Sequence, residues 1–256
     1  MDVEASIQKI NQTLAQYTFG SQPVDLYQPM HYMLGLDQKR MCPLLTFWGC
    51  YLFSGNTKKV LMPSLGVEVF HNFLLVHEDL MERNPTRNGR DSVHVKWNDN
   101  VAILSGDAMI FKSYELIIQV DQELIKPVIR LFNQCFTKMC EGKQLSLNMQ
   151  DDSGNSEHYF KILKLKQGAL TGFSLQLGAL IGGATSNEAE KAGRLVNTLG
   201  VLLGLTITQA PSALSDTVNQ SLKGEQTSKA RSQLKMLDCD EGRKKEFGDY
   251  IEGIYC

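Results

Sequence analysis

His71-Asn-Phe-Leu-Leu-Val-His77-Glu78-Asp79-Leu-Met-Glu82-Arg83-Asn-Pro-Thr-Arg87-Asn88-Gly89 is the stretch that decides how this chain reads. An apolar run ends abruptly in carboxylates at i, i+1 and i+4. On a helix, Glu78 and Glu82 lie one turn apart on one face, with Asp79 beside them. Helical spacing extends upstream. Over residues 67–81, Val67, Phe70, Leu74 and Met81 line one stripe, while Glu68, His71, Glu78 and Glu82 lie together elsewhere. Asn84-Pro85 stops the helix, and Asn88-Gly89 is a further turn signal. An acidic triplet of this kind is commonly a solvated helix end. Here the acids close an apolar segment, and Arg83 and Arg87 follow at once. Carboxylates that hold Mg²⁺ against a diphosphate, with arginines for its remaining oxygens, have this layout.

Outward from this segment the chain reads as helical. Period-2 alternation is confined to residues 93–97, and no Asn-Gly hairpin separates two β-rich runs. Residues 101–118 and 124–140 are expected to be helices, the second interrupted near Pro127. A polar loop follows from Met149, and residues 158–180 and 187–208 read as two long buried helices. Beyond Pro211 the chain turns rich in Ser, Gln, Lys and Thr, and residues 212–235 are expected to form a mobile loop followed by a short terminal helix. The expectation is a single helical domain over residues 1–256 with a polar, divergent segment at 211–256.

Composition narrows the classes. With 43% hydrophobic and 21% charged residues, the chain lies outside the disordered range. A net charge of -2 exerts no global attraction for nucleic acid or an anionic membrane, so an anionic substrate must meet a local basic cluster. Residues 168–184 and 195–210 are strongly apolar, but both fall short of the about 20 residues a span requires. They are read as core helices rather than transmembrane segments. The N-terminus carries no apolar signal core, and the six cysteines have no C-x-x-C spacing. Both point to a cytoplasmic protein with reduced thiols. No P-loop, dinucleotide fingerprint or G-x-S-x-G is present.

The acidic segment resembles the first aspartate-rich motif of the trans-isoprenyl diphosphate synthases, the polyprenyl synthetase family, in which D-D-x-x-D is followed by R-R-G. Here it reads Glu78-Asp79-x-x-Glu82, then Arg87-Asn88-Gly89. Leu26-Tyr27-x-Pro29 with Tyr32-x-Leu34 resembles the family's first helices, and Lys39-Arg40-Met41-Cys42-Pro43 its K-R-x-R-P. Val93-His94, Trp97 and Leu104-Ser105-Gly106-Asp107-Ala108 resemble the helix after the motif. Glu141-Gly142-x-Gln144 is similar to its G-Q element, and Lys166-Gln167-Gly168-Ala169 to its K-T-G. These elements run in the family's order from about residue 26 to 204.

The resemblance implies an all-α, isoprenoid-synthase-type bundle of about ten helices around an apolar cavity, usually dimeric. It implies Mg²⁺ held by Glu78, Asp79 and Glu82, and isoprenoid diphosphates bound by Lys39, Arg40, His71, Arg87 and Lys166. Phe73 and Leu74 would form the cavity floor, and an aromatic floor implies a short-chain product.

The departures fall on the chemistry. Glu replaces Asp at 78 and 82, and Mg²⁺ tolerates little change in oxygen position. Cys42 and Asn88 stand where the family has arginines of the isopentenyl diphosphate site, and each lost charge-assisted hydrogen bond removes about 1.5–3 kcal/mol. The family's second aspartate motif is absent: residues 200–211 carry no carboxylate. Thr217, Ser221 and Glu225 have the i, i+4, i+8 spacing of the terpene cyclase metal motif, though its first position should be Asn or Asp. Three functions remain open on this reading. The chain is non-catalytic alone, or is a subunit dependent on an active synthase. Alternatively it is an active short-chain prenyltransferase with an altered Mg²⁺ site. The third is a plain isoprenoid-binding protein.

Overall fold

The computed structural model describes residues 1–36, 38–148, 156–207 and 216–255, with side chains at 1–36, 38–148, 157–202 and 223–253. Apart from one two-residue ribbon, every regular element among the described residues is helical. The chain divides into two compact units, one of residues 2–44 and 61–120, the other of residue 1, 45–60 and 121–256.

The first unit holds α1 (Val3–Gln16), α2 (Val24–Leu34), the first turn of α3 (Met41–Ser54), α4 (Leu61–Glu82), the ribbon β1 (Thr86–Arg87) and β2 (Arg90–Asp91), α5 (Val93–Lys96) and α6 (Asp99–Ile117). α4 is its central element, packed along α6. The expected single stripe on α4 is corrected: in its first half Val67, Glu68, Val69 and Phe70 are all buried, so that half of the helix is enclosed on every side. Near its end Met81 is 51% exposed, whereas Asp79 is buried. The alternation expected at 93–97 is instead a single helical turn. The only strands among the described residues flank Asn88-Gly89, whose φ values of 50° and 74° form the two-residue turn that Asn-Gly favours.

The second unit holds the rest of α3, a 3₁₀ turn (Lys58–Val60), α7 (Gln122–Asn148), α8 (Ser156–Leu163), a π-helical turn (Lys164–Gly168), α9 (Ala169–Ile181), α10 (Ser186–Ile207), α11 (Asp216–Lys235) and α12 (Glu241–Tyr255). α7 runs through Pro127 without interruption. Pro127 lies close to the helix start, so its missing N–H deprives only a first-turn carbonyl. α9 crosses α3 so closely that a Cβ on Gly178 would stand 2.9 Å from the Cys50 nitrogen.

Residues 212–215 of the expected loop lie outside the described residues; from Asp216 the short terminal helix gives way to two helices of 20 and 15 residues. Among the described side chains of α11, the buried ones are Gln226 and Ala230, neither of them a large apolar residue. α12 docks through Phe247 and Tyr250, whose rings lie 5.2 and 5.1 Å from Trp48. Among the described residues one segment, Lys58–Glu82, is long and apolar enough to cross a membrane, and 67% of its most apolar window is buried within the protein. α9, the more apolar of the two stretches singled out in the sequence, is buried at every residue from Ala169 to Leu180 except Gln176.

Candidate functional site

Three carboxylates in the last turns of α4 sit at the wrong end of a helix, where the macrodipole already places partial negative charge. The structure supplies positive charge locally. Arg87, on β1, donates from Nε to Asp79 Oδ2 at 2.7 Å and from Nη2 to Asp79 Oδ1 at 2.6 Å. The same Nη2 lies 3.6 Å from Glu78 Oε2. The Asn84 side-chain amide reaches Asp79 Oδ1 and Glu82 Oε2, each at 3.3 Å.

The chain turn that makes this possible is a helix cap. The Asn84 N–H bonds the Asp79 carbonyl at 3.0 Å, and Arg83 takes φ 56°, the left-handed conformation usual for glycine there. Arg83 then turns outward to Asp99, at 2.8 and 2.9 Å, an exposed pair worth little. The ribbon folds Arg87 back over α4. It is held from the other side by the Tyr32 hydroxyl, which donates to the Asp91 carbonyl at 2.8 Å.

The donor chemistry suits a hard cation, since three carboxylates at the end of one helix are the ligand type Mg²⁺ takes. The arrangement is partial: among the described residues no three acidic, histidine or cysteine side chains converge as a metal cage. Arg87 and Asn84 occupy the positions between paired carboxylates, Glu78 with Asp79 and Asp79 with Glu82. Glu78, Asp79 and Glu82 would hold a Mg²⁺ ion only in competition with these two groups.

The expected basic residues divide. Lys39 is exposed in the α2–α3 connection. Arg40, expected among the substrate ligands, turns inward instead. Its side chain is 6% exposed, and Nη1 donates to Glu68 Oε1 at 2.6 Å, Nε to Asn11 Oδ1 at 2.9 Å and Nη2 to the Leu34 carbonyl at 2.5 Å. Glu68 has no exposed surface, and burying its charge requires this counterion. Asn72 donates to Glu68 at 3.1 Å, and Gln38 donates to Asn72 at 2.7 Å. Lys39 is therefore flanked by two residues pinned to α4. Sequence reasoning missed Glu68, Asn72 and Gln38 as this supporting set. The available signal was a carboxylate placed three residues before His71 in an otherwise apolar run.

His71 lies one turn from Glu68, with Nδ1 4.0 Å from Glu68 Oε2. Burial pushes its pKa below the ordinary value, outweighing the opposite pull of Glu68. Phe73 is buried, stacked on Phe70 at 5.9 Å and edge-on to His77 at 4.6 Å, and Leu74 is half-buried. Cys42 is buried and supplies no cation.

In the second unit Lys166 sits in the π-helical turn, a distortion frequent at functional sites. Two elements matched separately in the sequence meet there. A Cβ on Gly142 of α7 would lie 2.8 Å from Leu165 Cβ and 3.1 Å from Lys166 Cγ, so glycine at 142 admits the turn that carries Lys166. Thr217, Ser221 and Glu225 fall within α11. Glu225 is exposed, and the side chains of the other two lie outside the described residues, as do residues 208–211.

The profile of a family described as Polyprenyl synthetase matches residues 23–204. The chain belongs to the polyprenyl synthetase family. A geranylgeranyl diphosphate synthase of Methanosarcina mazei is 28% identical over 208 residues, covering 80% of this chain and 63% of that protein. A short chain isoprenyl diphosphate synthase of Methanocaldococcus jannaschii is 27% identical over 196 residues, covering 76% of this chain and 59% of that protein. The chain thus aligns with about three-fifths of the length of these curated relatives. A solved geranylgeranyl pyrophosphate synthase superposes with a TM-score of 0.90 at 23% identity, covering 98% of this chain and 97% of that one. The geranylgeranyl pyrophosphate synthetase from Geoglobus acetivorans gives 0.84 at 19% identity, covering 98% and 99%. The polyprenyl synthetase fold, an all-α bundle, is thereby shown for this chain.

Proposed function

We propose that this chain acts in isoprenoid biosynthesis as a short-chain trans-prenyltransferase with an altered cation site, condensing an allylic diphosphate with isopentenyl diphosphate. The observation that carries the reading is the buried Asp79 gripped by Arg87 at the end of α4, inside the span that matches the family. Relatives named as synthases support the same chemistry.

Arg87 has two tasks on this reading. It neutralises Asp79 through Nε and Nη2, and its Nη1 group donates to a diphosphate oxygen. Lys39 adds a point charge, and His71, kept neutral by burial, retains one ring N–H as a donor. Lys166 is read as a further diphosphate ligand carried by the second unit, and Arg40 serves as a positioning residue behind Lys39. Mg²⁺, when bound by Glu78, Asp79 and Glu82, supplies positive charge to the departing diphosphate. Phe73 and Leu74 limit the product to a short chain. The working form is a cytoplasmic homodimer, or a heteromer with an active synthase, and it uses no nucleic acid.

A second reading, non-catalytic alone or partner-dependent, is favoured by residues 200–211, which contain no carboxylate to hold a further metal ion. Turnover of labelled isopentenyl diphosphate with each short allylic diphosphate and Mg²⁺ separates the two. Product that disappears in Asp79→Ala supports the first. Absence of product, with Mg²⁺-dependent binding of farnesyl diphosphate retained, supports the second. Farnesol binding as tightly as farnesyl diphosphate, with no effect of Mg²⁺, overturns both.

A further inference from the structure

We infer that the cleft between α7 and α11 in the second unit is a binding site for a multiply charged phosphate-type anion, separate from the Asp79 site. The cleft measures about 720 Å³. Its walls carry Arg130 and Lys138 from α7, Lys164 from the π-helical turn and Lys229 from α11. Among the described residues none of these four has a carboxylate within 4.0 Å. The one acid lining the cleft, Glu190, is already bound to Arg194. In a chain of net charge -2, four uncompensated cations around one concavity raise the local potential and repel one another until an anion binds.

The floor adds neutral donors. The Thr198 hydroxyl is shared between the Arg194 carbonyl at 3.1 Å and Gln233 Oε1 at 2.9 Å, and the Gln233 NH₂ group faces the same floor as a donor. Gln176 and Asn197 line the same floor. Gln176 lies over Gly193, where a Cβ would meet its Oε1 at 2.8 Å. Amide donors among arginine and lysine heads suit an anion with several acceptor oxygens, and the volume exceeds what a single phosphate fills. A diphosphate is the simplest group that fits. It has two sources, free pyrophosphate or the head of a prenyl diphosphate, whose chain would lie on Leu131 and Phe173. The inference does not depend on the proposed transfer reaction.

Calorimetric titration of the whole chain in EDTA, with inorganic pyrophosphate and then with farnesyl diphosphate, tests the site. Wild type is expected to bind pyrophosphate without Mg²⁺. The Lys138→Glu/Lys229→Glu variant is expected to bind at least about tenfold more weakly for each cation removed. Arg87→Gln removes the other candidate diphosphate ligand and is expected to retain at least one bound pyrophosphate per chain, the one held in this cleft. Both lysines are exposed, and a circular dichroism melt verifies that the double variant folds. Tighter binding of farnesyl diphosphate than of pyrophosphate assigns the lipid form, and equal binding assigns the free anion. No heat with millimolar pyrophosphate overturns the inference, as does undiminished binding by the double variant or loss of binding in Arg87→Gln alone.

Discussion

Replacing Arg87 with Met tests how far the acidic end of α4 depends on one arginine. Asp79 is 1% exposed, and the guanidinium supplies its two short hydrogen bonds, leaving only the Asn84 amide at 3.3 Å. Breaking a buried pair so that a charge remains without its partner costs about 3–5 kcal/mol. Arg87 itself is 21% exposed, so water replaces part of what is lost, and the expected cost is about 2–4 kcal/mol. Asp79→Asn should be milder, about 1–2 kcal/mol, because Arg87 can turn to solvent and the amide still accepts a hydrogen bond. Removing one negative charge also relieves the helix end. In the double variant the amide needs no counterion, so the two costs should fall short of additive by about 1.5–3 kcal/mol. Urea unfolding followed by circular dichroism at pH 7 gives all three values. The reasoning is refuted if Arg87→Met costs less than Asp79→Asn, or if the double variant is additive.

Arg40→Met should destabilise the chain by about 3–5 kcal/mol, and Arg40→Met/Glu68→Leu should recover more than half of that in the same assay, because the orphaned carboxylate is gone. Gly178→Ala should lower Tm by about 5 °C or more, since the added methyl meets the α3 backbone rather than a side chain that can move aside. The His71 ring should remain neutral at its ordinary pKa of 6.5, read from its NMR shifts against pH. The unfolded chain takes up that proton first. His71 therefore lowers stability as pH falls through 6.5, until its own depressed pKa is passed, and a proton uptake at 6.5 or above contradicts the burial argument.

Much of the fold was legible because its determinants are short-range. Helical periodicity marked α4, α6, α9 and α10, and the ordered elements between residues 26 and 204 carried the family. Turn chemistry was legible too: Asn88-Gly89 is a turn whatever surrounds it. The α4 stripe was misread because periodicity reports a helix with one wet face, and α4 is enclosed at its start. From Asp216 onward α11 is a longer helix than the short one expected, and its buried described side chains, Gln226 and Ala230, carry little hydrophobic signal.

The residue pattern alone marked the candidate side chains for diphosphate chemistry, and it also determined that residues 200–211 contain no carboxylate. It could not determine their direction. Lys39 and Arg40 are neighbours of the same charge, yet one faces solvent and the other is buried. That difference is set by Glu68, 28 residues from Arg40, a carboxylate that cannot be buried without a counterion. Tertiary structure likewise decided that Asp79 is held by Arg87, that Gly142 makes room for Lys166, and that Trp48 is covered by Phe247. Each depends on which distant groups share a low-dielectric or close-packed space, and the cost of burying charge or filling volume is fixed only once the helices have packed.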